Sequence, residues 1–137
     1  MQNDFLEKQE KCISINEIVR DQNISLDEIN KMKSIGYIDN TKYLTNEDLK
    51  LIELWITLKE MGITEDLGFP LSNLDFFIDI SEIIFNQEFS IFSENLSNLT
   101  NEQITNIVQN SIPVINNIIS VLHQKRVHKF INDFKIY

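Results

Sequence analysis

Four cations and one amide between positions 20 and 42 have the types and spacing to grip and read a phosphate polymer. Arg20, Lys31, Lys33 and Lys42 supply positive charge, which attracts nucleic-acid backbones by releasing their counterions. Asn30 stands among them, and asparagine pairs bidentately with the adenine edge in a major groove.

No other set of residues offers comparable chemistry. Cys12 is the single cysteine. It cannot form an internal disulfide or build a cysteine-rich metal or iron–sulfur site, and it fits a reducing compartment. His123 and His128 are five residues apart, off the three- or four-residue spacing that puts two ligands on one helical face. No metal or cofactor is therefore expected. There is no nucleophile–base pair, no glycine-rich loop and no His/Asp/Glu motif, so the chain does not read as an enzyme.

The charge balance narrows the partner. Twelve Lys and Arg face 21 Asp and Glu, a net charge of −9 over 137 residues, and the pI is about 4.6. A surface that wraps nucleic acid everywhere is excluded, because nonspecific affinity needs positive potential. A small local reading surface is not. With 42% hydrophobic and 24% charged residues, the chain can bury a core in one domain with an accessory helical part. The sequence has no Ala and 16 Asn, which reads as AT-rich coding bias and a bacterial source. No apolar run approaches the roughly 20 residues that cross a bilayer, and the start lacks the basic region of a signal peptide. The expectation is a cytoplasmic protein with no membrane contact.

The elements that would position the cations are helices. Ser25-Leu26-Asp27-Glu28 is a capping box, and Thr45-Asn46-Glu47-Asp48 is a second with Asp in the Glu position. Thr100-Asn101-Glu102-Gln103 marks a third start, and Pro113 suits the first turn of a further helix. Gly36 and Gly62 sit where the longer helices should stop. The spacing predicts helices at roughly 15–22, 25–35, 46–61, 71–86, 100–110 and 113–134. Between them, residues 37–44 carry β-branched and aromatic side chains around Asp39-Asn40, the signature of a small hairpin. Helix, short turn at Asn23-Ile24, helix, hairpin and long helix is the order of a winged helix-turn-helix.

The same residues resemble the MerR family of bacterial transcription regulators. Ile15-Asn16-Glu17-Ile18-Val19-Arg20 through Ser34-Ile35-Gly36-Tyr37-Ile38 follows the start of its DNA-binding domain without a gap. Lys42-Tyr43-Leu44-Thr45-Asn46-Glu47-Asp48-Leu49 follows the end of its wing, and Leu58-Lys59-Glu60-Met61-Gly62 the close of its next helix. Gly68-Phe69-Pro70-Leu71-Ser72-Asn73-Leu74 matches the following segment after an insertion at 62–67. The departures fall on DNA-contacting positions. Asn30-Lys31-Met32-Lys33 replaces an Arg-Tyr-Tyr-Glu stretch, Lys42 replaces the wing arginine, and Leu51, Glu53, Ile56 and Thr57 occupy positions rich in arginine.

The resemblance implies a mainly α protein in three parts: an extension at 1–12, a winged helix-turn-helix with a small β-hairpin wing at 13–86, and a helical C-terminal region at 87–137. It implies a homodimer joined through the long last helix, bound to double-stranded operator DNA between spaced promoter elements, with RNA polymerase or another regulator nearby. The implied DNA-contacting set is Arg20, Ser25, Glu28, Asn30, Lys31, Lys33 and Lys42.

Two apolar features complete the reading. The third long helix carries Leu49, Leu51, Ile52, Leu54, Trp55 and Ile56 over more than one face, which burial within the chain would explain. Six of the nine phenylalanines fall between 69 and 92, which a packed core explains without a ligand. A second function class stays open: a protein-interaction module that kept the fold, lost strong DNA affinity, and contacts RNA polymerase or a partner regulator. The acidic balance and the apolar third helix motivate it.

Overall fold

The computed structural model describes residues 12–134, so the extension expected at 1–12 lies outside the described residues except for its last position. The chain divides into two compact units at Asn86/Gln87. Its elements in order are β1 (Cys12–Ser14), α1 (Ile15–Asp21), α2 (Leu26–Ile35), β2 (Tyr43–Thr45), α3 (Asn46–Glu60), short 3-10 turns at Glu65–Leu67 and Leu71–Asn73, α4 (Leu74–Asn95) and α5 (Asn101–Phe134).

The punctuation acts as its chemistry dictates. The Ser25 hydroxyl accepts from the Glu28 amide at 3.1 Å while the Glu28 carboxylate takes the Ser25 amide at 3.0 Å. Thr45 and Asp48 repeat that exchange at 3.1 and 3.3 Å, and Thr100 and Gln103 at 3.1 and 2.9 Å. Each box satisfies two of the orphan donors at a helix start. Gly36 follows α2 at φ 85°, the left-handed conformation that turns the chain out of the helix, and the amide of Tyr37 closes back on the Met32 carbonyl at 2.9 Å.

The core lies in the first unit. Ile29, Met32, Leu44 and Ile52 are fully enclosed, and Ile18, Ile24, Ile38, Trp55, Ile56 and Leu74 complete the buried set. Ile24 plugs the turn between α1 and α2, so that turn is held by a side chain as well as by its backbone. Ile52, Trp55 and Ile56 of α3 are thus covered within the chain, as expected, although Leu54 stays half exposed.

Four expectations are corrected. Residues 37–44 do not form a hairpin. Tyr43–Thr45 instead pairs antiparallel with Cys12–Ser14, with Ile13 opposite Leu44. A strand that buries Leu44 needs a partner across the core, and the chain entering α1 supplies it where a local return could not. Pro113 starts no helix, because α5 runs through it from Asn101 to Phe134. Proline's fixed φ is compatible with a helix. Its cost is one lost backbone hydrogen bond and a clash with the preceding turn, and no glycine follows to end the helix. The helix expected to end near 86 continues to Asn95. The phenylalanines do not make one core: Phe76, Phe77, Phe85 and Phe89 are all about half exposed or more, and only Phe69 packs on the buried set.

In the second unit, partial burial on α5 recurs at Ile104, Val108, Ser111, Ile112 and Ile115. That is the repeat of one helix face packed against a neighbour. From 116 to 134 every residue of α5 is exposed, including Ile118, Leu122, Phe130 and Phe134.

Candidate nucleic-acid interface

Helices α1 and α2 are joined by a four-residue turn at 22–25 and back onto the core through Ile18, Ile29 and Met32. The opposite side of α2 is therefore free. Leu26, Asp27, Asn30, Lys31 and Ser34 are exposed there, at the spacing of one helical face. Asn30 and Lys31 are accessible to a ligand on this face, and Lys31 forms an i, i+4 ion pair with Asp27 at 3.4 Å. Exposed pairs of this kind contribute a few tenths of a kcal/mol, so a phosphate can compete for the lysine.

The other cations are held by different neighbours. Arg20, exposed in the last turn of α1, forks onto adjacent Asp21 at 3.0 and 3.4 Å. The hydrogen bond to Asp21 holds the guanidinium pKa above its ordinary value, and the same bond lowers that of Asp21. Lys33 is half buried, and its ammonium donates to the Thr41 carbonyl at 2.8 Å. Lys42 lies 5.6 Å from the ring centre of Tyr43, a cation–π contact. Lys33 and Thr41, whose hydroxyl donates to the Tyr43 carbonyl at 2.7 Å, shape the loop at 37–42 that replaces the expected hairpin. Asp48 steadies the same loop, being buried and accepting from the Asp39 amide at 3.3 Å.

Ser25 and Glu28 are engaged within the chain. Ser25 is occupied in the capping box, and Glu28 is the hub of an internal network. Its Oε2 accepts from the Trp55 indole N–H at 2.9 Å, and both its oxygens accept from the Lys59 ammonium at 3.0 and 3.1 Å. Lys59 also donates to the Asn23 carbonyl at 2.9 Å, in the turn between α1 and α2. Burial pushes the Glu28 carboxyl up, but the Trp55 indole, the Ser25 amide and the Lys59 ammonium outweigh it and hold its pKa below the ordinary value. A capping residue three positions into a helix gives no hint in sequence of a partner 27 residues away. The network therefore had no sequence signal beyond the capping box. It orients α2 against α3, with Tyr37 doing the same at the other end by donating to the Leu51 carbonyl at 2.6 Å.

Chemically, α2 offers an exposed face with an amide and a cation, while Arg20 is exposed on α1 and Lys42 on the loop at 37–42. Among the described residues no group of three His, Cys, Asp or Glu could hold a metal, and no helix is long and apolar enough to cross a membrane. Compared with known proteins, the chain matches no protein-family model, no curated protein and no solved structure.

Proposed function

We propose that this chain is a cytoplasmic DNA-binding regulator with a MerR-like winged helix-turn-helix, reading operator DNA as a homodimer. The observation that carries the reading is the outward face of α2, where Asn30 and Lys31 stand exposed on a helix whose other side is locked to the core. A helix so held can enter a major groove without losing its own packing. Asn30 reads a base edge, while Arg20, Lys31, Lys33 and Lys42 hold phosphates; Ser25 and Glu28 position the helix. The loop at 37–42 serves as the wing. The exposed apolar residues of α5 between 118 and 134 support a dimer formed through that helix, since apolar surface of this extent marks an interaction site.

The second reading, a protein-interaction module without strong DNA affinity, is supported by the net charge of −9 and by the acidic partners of Arg20 and Lys31. Selection from a random-sequence duplex pool, followed by affinity across a salt series, separates the two. Enrichment of a palindromic motif with a log–log salt slope of roughly −4 to −7 supports the regulator. No enrichment at low salt supports the module.

A further inference from the structure

Charge is segregated along the C-terminal half of the chain. From Glu60 to Glu102 there are nine acidic residues and no basic one; from 103 to 132 there are three basic residues and no acidic one. Three of the acidic residues, on α4, and the three basic residues, on α5, are exposed beside exposed apolar side chains. On α4, Asp75, Asp79 and Glu82 follow the i, i+4, i+7 spacing of one stripe. Phe76 and Ile83, 61% and 68% exposed, line the adjacent stripe. On α5, Lys125 and Lys129 continue the stripe of Ile118 and Leu122 in steps of four, three and four, with Arg126 beside them. None of these six charged side chains makes an ion pair among the described residues.

We infer that the basic segment of α5 around Lys125, Arg126 and Lys129 docks on the Asp75-Asp79-Glu82 stripe of α4 in a second copy of this chain. The inference rests on the dimer proposed above and names what α5 meets in it. The two surfaces are complementary in both respects that matter. Each offers an apolar strip to bury, and each offers the opposite charge beside it, which fixes register and excludes other pairings. A two-fold dimer forms the contact twice, because the same patch pair recurs on both sides. DNA is the poorer occupant for the basic segment. Phosphates satisfy the cations but leave Ile118 and Leu122 in water, whereas a protein partner covers both.

Charge exchange tests the contact directly. One variant carries Lys125→Glu, Arg126→Glu and Lys129→Glu; the other carries Asp75→Lys, Asp79→Lys and Glu82→Lys. Helicity by circular dichroism confirms that each folds, and sedimentation equilibrium gives the dimer dissociation constant at low and high salt. The expected result is a wild-type dimer that weakens with salt, a rise of at least about tenfold in dissociation constant for each variant alone, and recovery when the two are mixed. Recovery is the decisive arm, since the mixed dimer restores opposite charges at both contacts. A wild type that stays monomeric overturns the dimer reading itself. A wild-type dimer whose constant is unchanged in both variants leaves that reading standing and overturns this contact. So does loss without recovery on mixing, a loss of folding stability with unchanged mass (charges paired within one chain), or a loss of DNA affinity with unchanged dimerisation.

Discussion

The indole N–H of Trp55 donates to Glu28 Oε2 at 2.9 Å across 27 residues of sequence, and Lys59 closes on the same carboxylate at 3.0 Å. These contacts tie the N-terminus of α2 to the last half of α3 and so fix how the exposed face of α2 is held. Trp55→Phe keeps the buried ring and removes the donor. It is expected to cost about 1–2 kcal/mol in urea unfolding. Glu28→Ala is expected to cost about 2–3 kcal/mol, because it deletes the capping box and strands the Lys59 ammonium.

Acid should expose the same network. The Glu28 carboxyl has its pKa lowered in the fold, so its stabilisation is fully present above the unfolded value and is lost as pH falls through the folded one. Unfolding free energy is expected to decline on the acid side of the ordinary glutamate range. Glu28→Gln should flatten that part of the profile; an unchanged acid limb would count against the network.

Alkali acts through a different residue. Burial pushes the Tyr37 phenol up to about 12, above its ordinary value near 10. The native state then favours the protonated form, so Tyr37's contribution is complete below about pH 10 and fades as pH rises toward 12. Tyrosinate absorbance should show one of the three tyrosines titrating late, and Tyr37→Phe should remove that late component.

On DNA, the lysines and the cap separate by the kind of loss. Lys31→Glu with Lys33→Glu is expected to abolish binding to the selected operator. Lys42→Ala alone should weaken all sequences about equally and reduce the salt slope by about one. Ser25→Ala is expected to lower stability by about 1 kcal/mol while leaving the salt slope unchanged, since its hydroxyl is spent on the Glu28 amide. A slope change in Ser25→Ala would mean that the hydroxyl contacts the DNA as well as the Glu28 amide.

Pro113 gives a test of the second unit. It lies in the middle of α5, where proline costs up to about 3 kcal/mol relative to alanine. Pro113→Ala is expected to raise the melting temperature of the helical signal. A fall would mean that the proline shapes the helix for a partner.

Local chemistry is legible from residue order alone: three capping boxes, the glycines after α2 and α3, and a turn at Asn23-Ile24 between α1 and α2, which the structure widens to 22–25. Each depends on atoms within about one helical turn, where steric and hydrogen-bond rules act without regard to the rest of the chain. Residue order leaves the length of α5 open, because Pro113 marks a helix start only when something else ends the preceding helix, and nothing does. The exposure of the phenylalanines is not legible either, because composition counts apolar side chains without saying whether a neighbour covers them.

Residue order alone dictates the helical character, the caps and stops, and the acidic balance with its few cations. Long-range packing sets the rest: Tyr43–Thr45 pairs with Cys12–Ser14, Glu28 accepts from Trp55 and Lys59, and α5 carries exposed apolar side chains beyond Ile115. The division has a physical cause. Capping and helix propensity are short-range and nearly independent of context, whereas strand partners, buried carboxylates and covered faces depend on which distant segments fold together.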